Sequence, residues 1–148
     1  QPTRLNEPKL STFRKQVEAG YISDNPYHNN IHAADVLNRL VCILRMEAFF
    51  VDGSVASGCF LLSAILAAAV HDYGHPGMNN DYEVSFDTAV SRQYNEQAVL
   101  EMQSVFVALE ALRTEEGLNF MSHLSRPLQR SVMSRIIQLV STHLCPGT

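Results

Sequence analysis

Residues 61–77 read LLSAILAAAVHDYGHPG, an unbroken apolar run followed directly by two histidines and an aspartate. The apolar run, residues 61–70, has no polar stripe, so it predicts a helix that is buried on all sides. Burying His71 and Asp72 at the end of such a helix costs free energy unless a partner compensates for the lost hydration. A divalent metal ion is a common partner of this kind. The stretch therefore predicts a buried helix that ends at a metal site.

The rest of the chain shows helical periodicity. Apolar positions recur every three or four residues, which predicts helices over residues 13–20, 27–50, 96–112 and 127–144, with short helices and loops over residues 78–95. No segment has the alternation of a β-strand, and glycine and proline fall between the helices rather than in one linker. We therefore expect an all-α fold, a multi-helix bundle that forms one domain over residues 1–148.

Composition narrows the class of partner. The chain has 11 lysines and arginines against 15 acidic residues, a formal net charge of -4, which argues against nucleic acid as a partner. Its three cysteines, Cys42, Cys59 and Cys145, are odd in number and widely spaced, which is typical of reduced thiols. The longest apolar run, residues 59–70, is about half of what a membrane-spanning helix needs. We expect a cytoplasmic domain with no transmembrane segment.

A second pair of histidines strengthens the metal hypothesis. His28 and His32 are four residues apart and so share one side of a helix. A lone histidine in such a position is more often structural than a ligand. Together with His71 and Asp72, however, they make up the ligand set that a divalent metal requires.

The residue types also suggest a division of labour between two metals. Imidazole suits zinc, whereas Asp72 could bridge to magnesium or manganese. Paired cations stabilise the attacking and leaving oxygens of phosphoryl transfer, and an unligated imidazole could protonate the leaving oxygen. By spacing alone, both His28 and His75 are candidates for that imidazole.

Two stretches carry a resemblance to a known family. Residues 25–36 (NPYHNNIHAADV) and residues 67–80 (AAAVHDYGHPGMNN) closely resemble the two signatures of the class I 3′,5′-cyclic nucleotide phosphodiesterases, which belong to the HD superfamily. Residues 13–21, 94–101 and 130–142 are also similar to that family. The resemblance implies a bundle of the HD/phosphodiesterase type, incomplete at its C-terminus. It further implies hydrolysis of cAMP or cGMP, a small-molecule cyclic nucleotide, to the nucleoside 5′-monophosphate.

The resemblance also implies roles for individual residues. His32, His71 and Asp72 would ligate Zn²⁺, and Asp72 would also contact the second metal, Mg²⁺ or Mn²⁺. His28 would bind substrate and act as the general acid that protonates the leaving 3′ oxygen. Glu101 would orient His28, and His75 would lie beside the attacking water and the phosphate. Tyr27 would line the substrate pocket.

The chain also departs from the family pattern. Where the family continues after Glu101 with Asn-His-His, this chain has Met102-Gln103-Ser104, and where the last helix usually carries Thr-Asp-Met it has Thr142-His143-Leu144. The family's fourth metal ligand and its purine-binding Gln lie beyond the stretch that corresponds to residues 1–148. We therefore expect impaired turnover by this chain and self-association through apolar helix faces that the missing helices would cover.

Two alternatives stay open at this point. The chain could be a non-catalytic HD-type regulatory or dimerising module that retains part of the metal site, which the residues after Glu101 and His143 favour. It could also be an HD phosphohydrolase that acts on another phosphate ester.

Overall fold

The computed structural model describes residues 5–46 and 54–142, and within these ranges the regular structure is entirely helical. The elements, in chain order, are α1 (Glu7–Gly20), α2 (Asn30–Met46), α3 (Val55–Val70), α4 (Asn80–Ser85), α5 (Ala89–Gln93), α6 (Val99–Thr114) and α7 (Arg126–Thr142). The predicted all-α fold is confirmed. None of these helices is long and apolar enough to cross a membrane.

Local side-chain chemistry sets where the helices begin. The Asn6 side chain accepts a hydrogen bond from the backbone N–H of Lys9, and the Ser54 hydroxyl accepts one from Ser57. The Asn29 side chain accepts hydrogen bonds from the backbone N–H groups of Ile31 and His32. Such side-chain oxygens satisfy N–H groups that have no partner inside the first turn.

These caps explain where α1, α2 and α3 begin relative to the predicted bounds. α1 and α3 each begin six residues earlier than predicted, behind Asn6 and Ser54, whereas α2 begins three residues later, behind Asn29. α6 is shifted by two to three residues from the predicted bounds, and α7 begins one residue early. The predicted ends of α2 at residue 50 and of α7 at residue 144 lie outside the described residues.

The central element is α3, which packs against α7, α2 and α6. Its neighbour α7 contributes Val132 and Ile136, both 0% exposed. The fully buried Ser63 donates its hydroxyl to the carbonyls of Cys59, at 2.7 Å, and Val132, at 3.4 Å, so its polar group is satisfied within the core. A second apolar layer joins α1 to the loop before α7, where the rings of Phe13 and Phe120 lie 5.4 Å apart.

The prediction that α3 is buried on all sides holds only in part. Residues 61–70 include none that is exposed, and five of them are buried. On one side, however, Ala64, Ala67 and Ala68 line an open apolar groove together with side chains of α2 and α7. The helix is therefore enclosed by α2, α6 and α7 with one apolar side left accessible.

The core position of Ile136 gives a stability test. Ile136→Ala should lower the free energy of unfolding by about 3 kcal/mol, because it removes three buried carbons from the α3–α7 contact and leaves a cavity. The matched control is Ile31→Ala, which makes the same deletion at a helical residue that is 74% exposed and should change stability by less than about 0.5 kcal/mol. Urea denaturation followed by circular dichroism measures both. Equal effects of the two substitutions would contradict this packing.

Candidate metal centre

The site lies where α2 begins and α3 ends. Asn29 caps the first turn of α2 and so fixes His32 on that turn. His71 directly follows the last residue of α3, and Asp72, which is 6% exposed, comes next. Because α2 and α3 pack against each other, these three side chains meet although they are separated by up to 40 positions in the sequence.

The ligand atoms of the three residues form a compact triangle. The Nε2 atoms of His32 and His71 lie 3.3 Å apart, and Oδ2 of Asp72 lies 3.5 Å from the first and 3.1 Å from the second. Zinc–ligand bonds of about 2.0–2.1 Å in a tetrahedron separate neighbouring ligand atoms by about 3.3–3.4 Å. The three side chains therefore fit one face of a tetrahedral metal site.

A hydrogen bond sets the tautomer of His71. Its Nδ1 lies 3.0 Å from the carbonyl oxygen of Ala68, and because a carbonyl only accepts, Nδ1 carries the proton. In the neutral imidazole the lone pair is then on Nε2, the atom that faces His32 and Asp72. Histidine ligands of metals commonly have their other ring nitrogen bound to a carbonyl or carboxylate in this way.

The electrostatics of the triangle favour a positive charge. Burial opposes ionisation of Asp72, but the protonated form of His71, whose Nε2–H would donate to this carboxylate, outweighs it and lowers the pKa of the carboxyl. Burial also disfavours the cation of His71, yet Asp72 raises the pKa of that imidazole. Burial and the neighbouring His71 lower the pKa of His32. Asp72 thus presents a buried negative charge to whatever binds between the two imidazoles.

A second group of possible ligands, His28, Asp72 and His75, has atoms within 4.8 Å of one another, but its geometry is different. The rings of His28 and His75 are stacked, 3.8 Å apart and inclined by 20°. Lone pairs lie in the ring plane, so stacked imidazoles direct them in parallel rather than toward one ion. This arrangement suits an unligated His28 beside the metal triangle.

The tautomer of His75 supports the same conclusion. Burial and the charge of His28 lower the pKa of His75, which favours its neutral form. Its Nδ1 accepts a hydrogen bond from the backbone N–H of Gly77 at 3.1 Å. A neutral imidazole that accepts at Nδ1 carries its proton on Nε2, so this atom donates hydrogen bonds and does not ligate a metal.

Tyr27 lies at the open side of the site. Its ring centre is 4.3 Å from that of His32 and 5.0 Å from that of His28, and the residue is 61% exposed. Tyr27 thus presents an exposed aromatic ring beside the histidines. The pocket-lining role that the resemblance implies for it stays a prediction.

Glu101 lies in the first turn of α6, where Asn80 holds it. The Asn80 amide donates to both carboxylate oxygens of Glu101, at 2.9 and 3.2 Å, and its Oδ1 accepts from the backbone N–H of Leu100 at 3.0 Å. Among the described residues no hydrogen bond joins Glu101 to His28, but the charge of Glu101 acts to raise the pKa values of His71 and His75. Asn80 is the last residue of the second signature stretch, residues 67–80, but the resemblance implied no role for it.

The three residues that differ from the family pattern after Glu101 lie on α6. Gln103 accepts a hydrogen bond from the Tyr94 hydroxyl at 3.0 Å, Ser104 is 1% exposed, and Met102 is half-buried. Gln103 thus ties α6 to the segment that precedes it. His143, the other departure, lies outside the described residues.

Fold and site together define an all-α domain with a His/His/Asp centre suited to a divalent metal. The model of the 3′5′-cyclic nucleotide phosphodiesterase family matches residues 27–143, and the chain belongs to this family. It is 34% identical over 131 residues to 3′,5′-cyclic-AMP phosphodiesterase 4 of Dictyostelium discoideum. It is also 34% identical over 135 residues to the dual specificity calcium/calmodulin-dependent 3′,5′-cyclic nucleotide phosphodiesterase 1 of Drosophila melanogaster.

Solved structures agree with the sequence relatives. The phosphodiesterase domain of Salpingoeca rosetta rhodopsin phosphodiesterase superposes with a TM-score of 0.78 and 29% identity, over 92% of this chain and 40% of that domain's chain. A second structure of a phosphodiesterase domain from the same organism gives 0.80 and 28%, over 92% and 41%. Each of the two sequence relatives is matched over 88% of this chain, which corresponds to 12% and 15% of their own lengths. The chain therefore spans a small part of its curated relatives and about two fifths of the solved domains.

The contacts of Asn80 give a prediction about α6. Ala98, which precedes this helix, makes no side-chain cap, so Asn80 supplies the missing acceptor from another segment. Asn80→Ala should lower the free energy of unfolding by about 1–2 kcal/mol, the usual cost of losing a helix cap. Asn38→Ala, at an exposed position of α2, is the matched control and should have almost no effect. Equal denaturation midpoints for the Asn80 variant and the unmodified chain would refute a capping role.

Proposed function

We propose that this chain contributes the metal centre and the general acid of a 3′,5′-cyclic nucleotide phosphodiesterase, which hydrolyses cAMP or cGMP to the nucleoside 5′-monophosphate. Residues 1–148 would form part of one catalytic domain. The observation that carries the proposal is the triangle of His32, His71 and Asp72, with ligand atoms 3.1–3.5 Å apart. Family membership and the names of the relatives support the choice of substrate.

In this proposal His32, His71 and Asp72 hold Zn²⁺, and Asp72 is shared with a second metal, Mg²⁺ or Mn²⁺. When bound, the two ions would supply positive charge that stabilises the attacking and leaving oxygens of the phosphodiester. The donor set supports this assignment, because imidazole suits zinc and a carboxylate also suits the harder ion.

The proton transfer falls to the chain's own residues. His28 would donate a proton to the leaving 3′ oxygen, and the lack of a hydrogen bond to its ring nitrogens among the described residues supports this role. His75, with its proton on Nε2, would donate a hydrogen bond to a phosphate oxygen. Tyr27 would bound the substrate pocket. Glu101, which the Asn80 amide holds in the first turn of α6, would orient His28.

The cellular setting is part of the proposal. The free thiols of Cys42 and Cys59 agree with a cytoplasmic location. The net charge of -4 supports a small-molecule substrate rather than nucleic acid. The apolar groove beside α3 and exposed side chains such as Ile43, which is 55% exposed, support self-association of this chain.

The metal part of the proposal has a direct test. The purified chain, dialysed against Zn²⁺, should retain one zinc ion per chain, as measured by elemental analysis. Losing a residue that only hydrogen-bonds to a metal ligand weakens metal binding by roughly 10–100-fold. Asp72→Ala and His71→Ala remove proposed ligands themselves, so each should weaken zinc binding by more than this. His123→Ala removes an exposed histidine outside the site and should leave zinc binding unchanged. Failure of the unmodified chain to retain zinc would overturn the metal centre.

The catalytic part is tested by turnover of cAMP and cGMP in the presence of Zn²⁺ and either Mg²⁺ or Mn²⁺. His28→Gln should keep its zinc and lower turnover by about 10²–10⁴-fold, the usual contribution of a general acid. Asp72→Ala defines the background rate. Zinc binding combined with turnover no faster than that of Asp72→Ala would contradict catalysis by residues 1–148 alone and favour a non-catalytic role for this chain.

A further inference from the structure

The two stacked histidines come from loops that are far apart in the sequence, and one side chain joins them. The Asn25 amide nitrogen donates to the carbonyl oxygen of His28 at 3.2 Å and to that of His75 at 2.7 Å. We propose that Asn25 is a positioning residue, which holds His28 and His75 in their stacked arrangement. The proposal rests on the proposed function only for its effect on turnover.

Asn25 is itself held in place. Its backbone N–H donates to the carbonyl of Ile22 at 3.2 Å, and its own carbonyl accepts from the side-chain amide of Asn29 at 2.9 Å. Since Asn29 also caps α2, the position of Asn25 is tied to the helix that carries His32. The amide of Asn25 therefore projects from a fixed backbone toward the second loop.

The second loop is shaped to receive this amide. Gly77 has φ +85°, a conformation that favours glycine, and a Cβ atom at this residue would lie 2.8 Å from Oδ1 of Asn25. The N–H of Gly77 donates to Nδ1 of His75 at 3.1 Å. Asn25 thus fixes the backbone of His75, while the neighbouring glycine fixes the ring.

The two fixed points have a consequence for the stack. The ring centres of His28 and His75 are 3.8 Å apart, and the carbonyls of both residues accept from the same amide nitrogen of Asn25. A shift of either loop therefore moves one ring relative to the other. None of the described hydrogen bonds of Asn25 reaches His32, His71 or Asp72. Removing the amide should therefore disturb the stack and spare the metal triangle.

The structural test uses Asn25→Asp and Asn25→Ala. Asn25→Asp keeps the size of the side chain and removes both N–H groups of the amide, so it separates hydrogen bonding from packing. In the unmodified chain, NMR should show nuclear Overhauser contacts between the ring protons of His28 and His75. Both variants should lose these contacts, whereas Asn38→Ala should keep them.

Zinc stoichiometry and circular dichroism of the same variants show whether the fold and the metal triangle are intact. We expect one zinc ion per chain and an unchanged helical spectrum for all of them. Ring contacts that persist in Asn25→Asp would overturn the positioning role. Loss of zinc together with the ring contacts in that variant would also overturn it, because the effect would then not be confined to the stack.

The kinetic test depends on the leaving group. If Asn25 positions the acid His28, Asn25→Asp should lower kcat for the cyclic nucleotide by about 10–100-fold at nearly constant KM. A p-nitrophenyl phosphodiester has a leaving group that needs no proton, so its hydrolysis should change by less than about twofold. Equal losses for both substrates would contradict a role through the acid. An unmodified chain that retains no zinc but shows the Asn25-dependent ring contacts would refute the proposed function and leave the structural role of Asn25 standing.

Discussion

The carboxylate of Asp72 is the constraint on which the site depends. It is 6% exposed and follows the apolar helix α3, where an isolated charge would be costly to bury. Two imidazoles lie within 3.5 Å of one of its oxygens, one from α2 and one from the end of α3. The packing of these two helices, the cap at Asn29 and the carbonyl of Ala68 all serve to bring those imidazoles to the carboxylate.

Hydrogen bonds to the ring nitrogens then divide the histidines into two kinds. His71 donates a hydrogen bond from Nδ1 to a carbonyl. Its neutral form therefore has the lone pair on Nε2, which can bind a metal. His75 accepts at Nδ1 from Gly77 and so presents a proton on Nε2, which can bind an oxygen. Asp72 belongs to both groups of residues, yet only one of the groups has converging lone pairs. The group of His32, His71 and Asp72 is therefore the one whose geometry suits two imidazole ligands on a single metal ion.

Much of this arrangement could be predicted from the sequence, and what was missed has a common cause. Apolar periodicity located the helices, and two dense motifs indicated His32, His71 and Asp72. Helix starts were missed by one to six residues. The two largest differences arise because the caps Asn6 and Ser54 extend a helix beyond its apolar stripe. The roles of Asn25 and Asn80 were also missed, because an amide that joins residues 50 or 21 positions away leaves no periodic signal.

The three residues after Glu101 that differ from the family pattern lie on a different helix from the metal triangle of His32, His71 and Asp72. All three candidate ligands come from α2 and from the end of α3, so the triangle requires only the contact between those two helices. Met102, Gln103 and Ser104 lie instead on α6, on the same helix as Glu101, and Gln103 bonds to Tyr94 rather than to any residue of the triangle. Loss of the family's Asn-His-His at these positions therefore alters the surroundings of Glu101 without removing a ligand from the triangle. Because the two parts are carried by different helices, this chain can depart from the family pattern on α6 and still bring the three side chains of the triangle within 3.5 Å of one another.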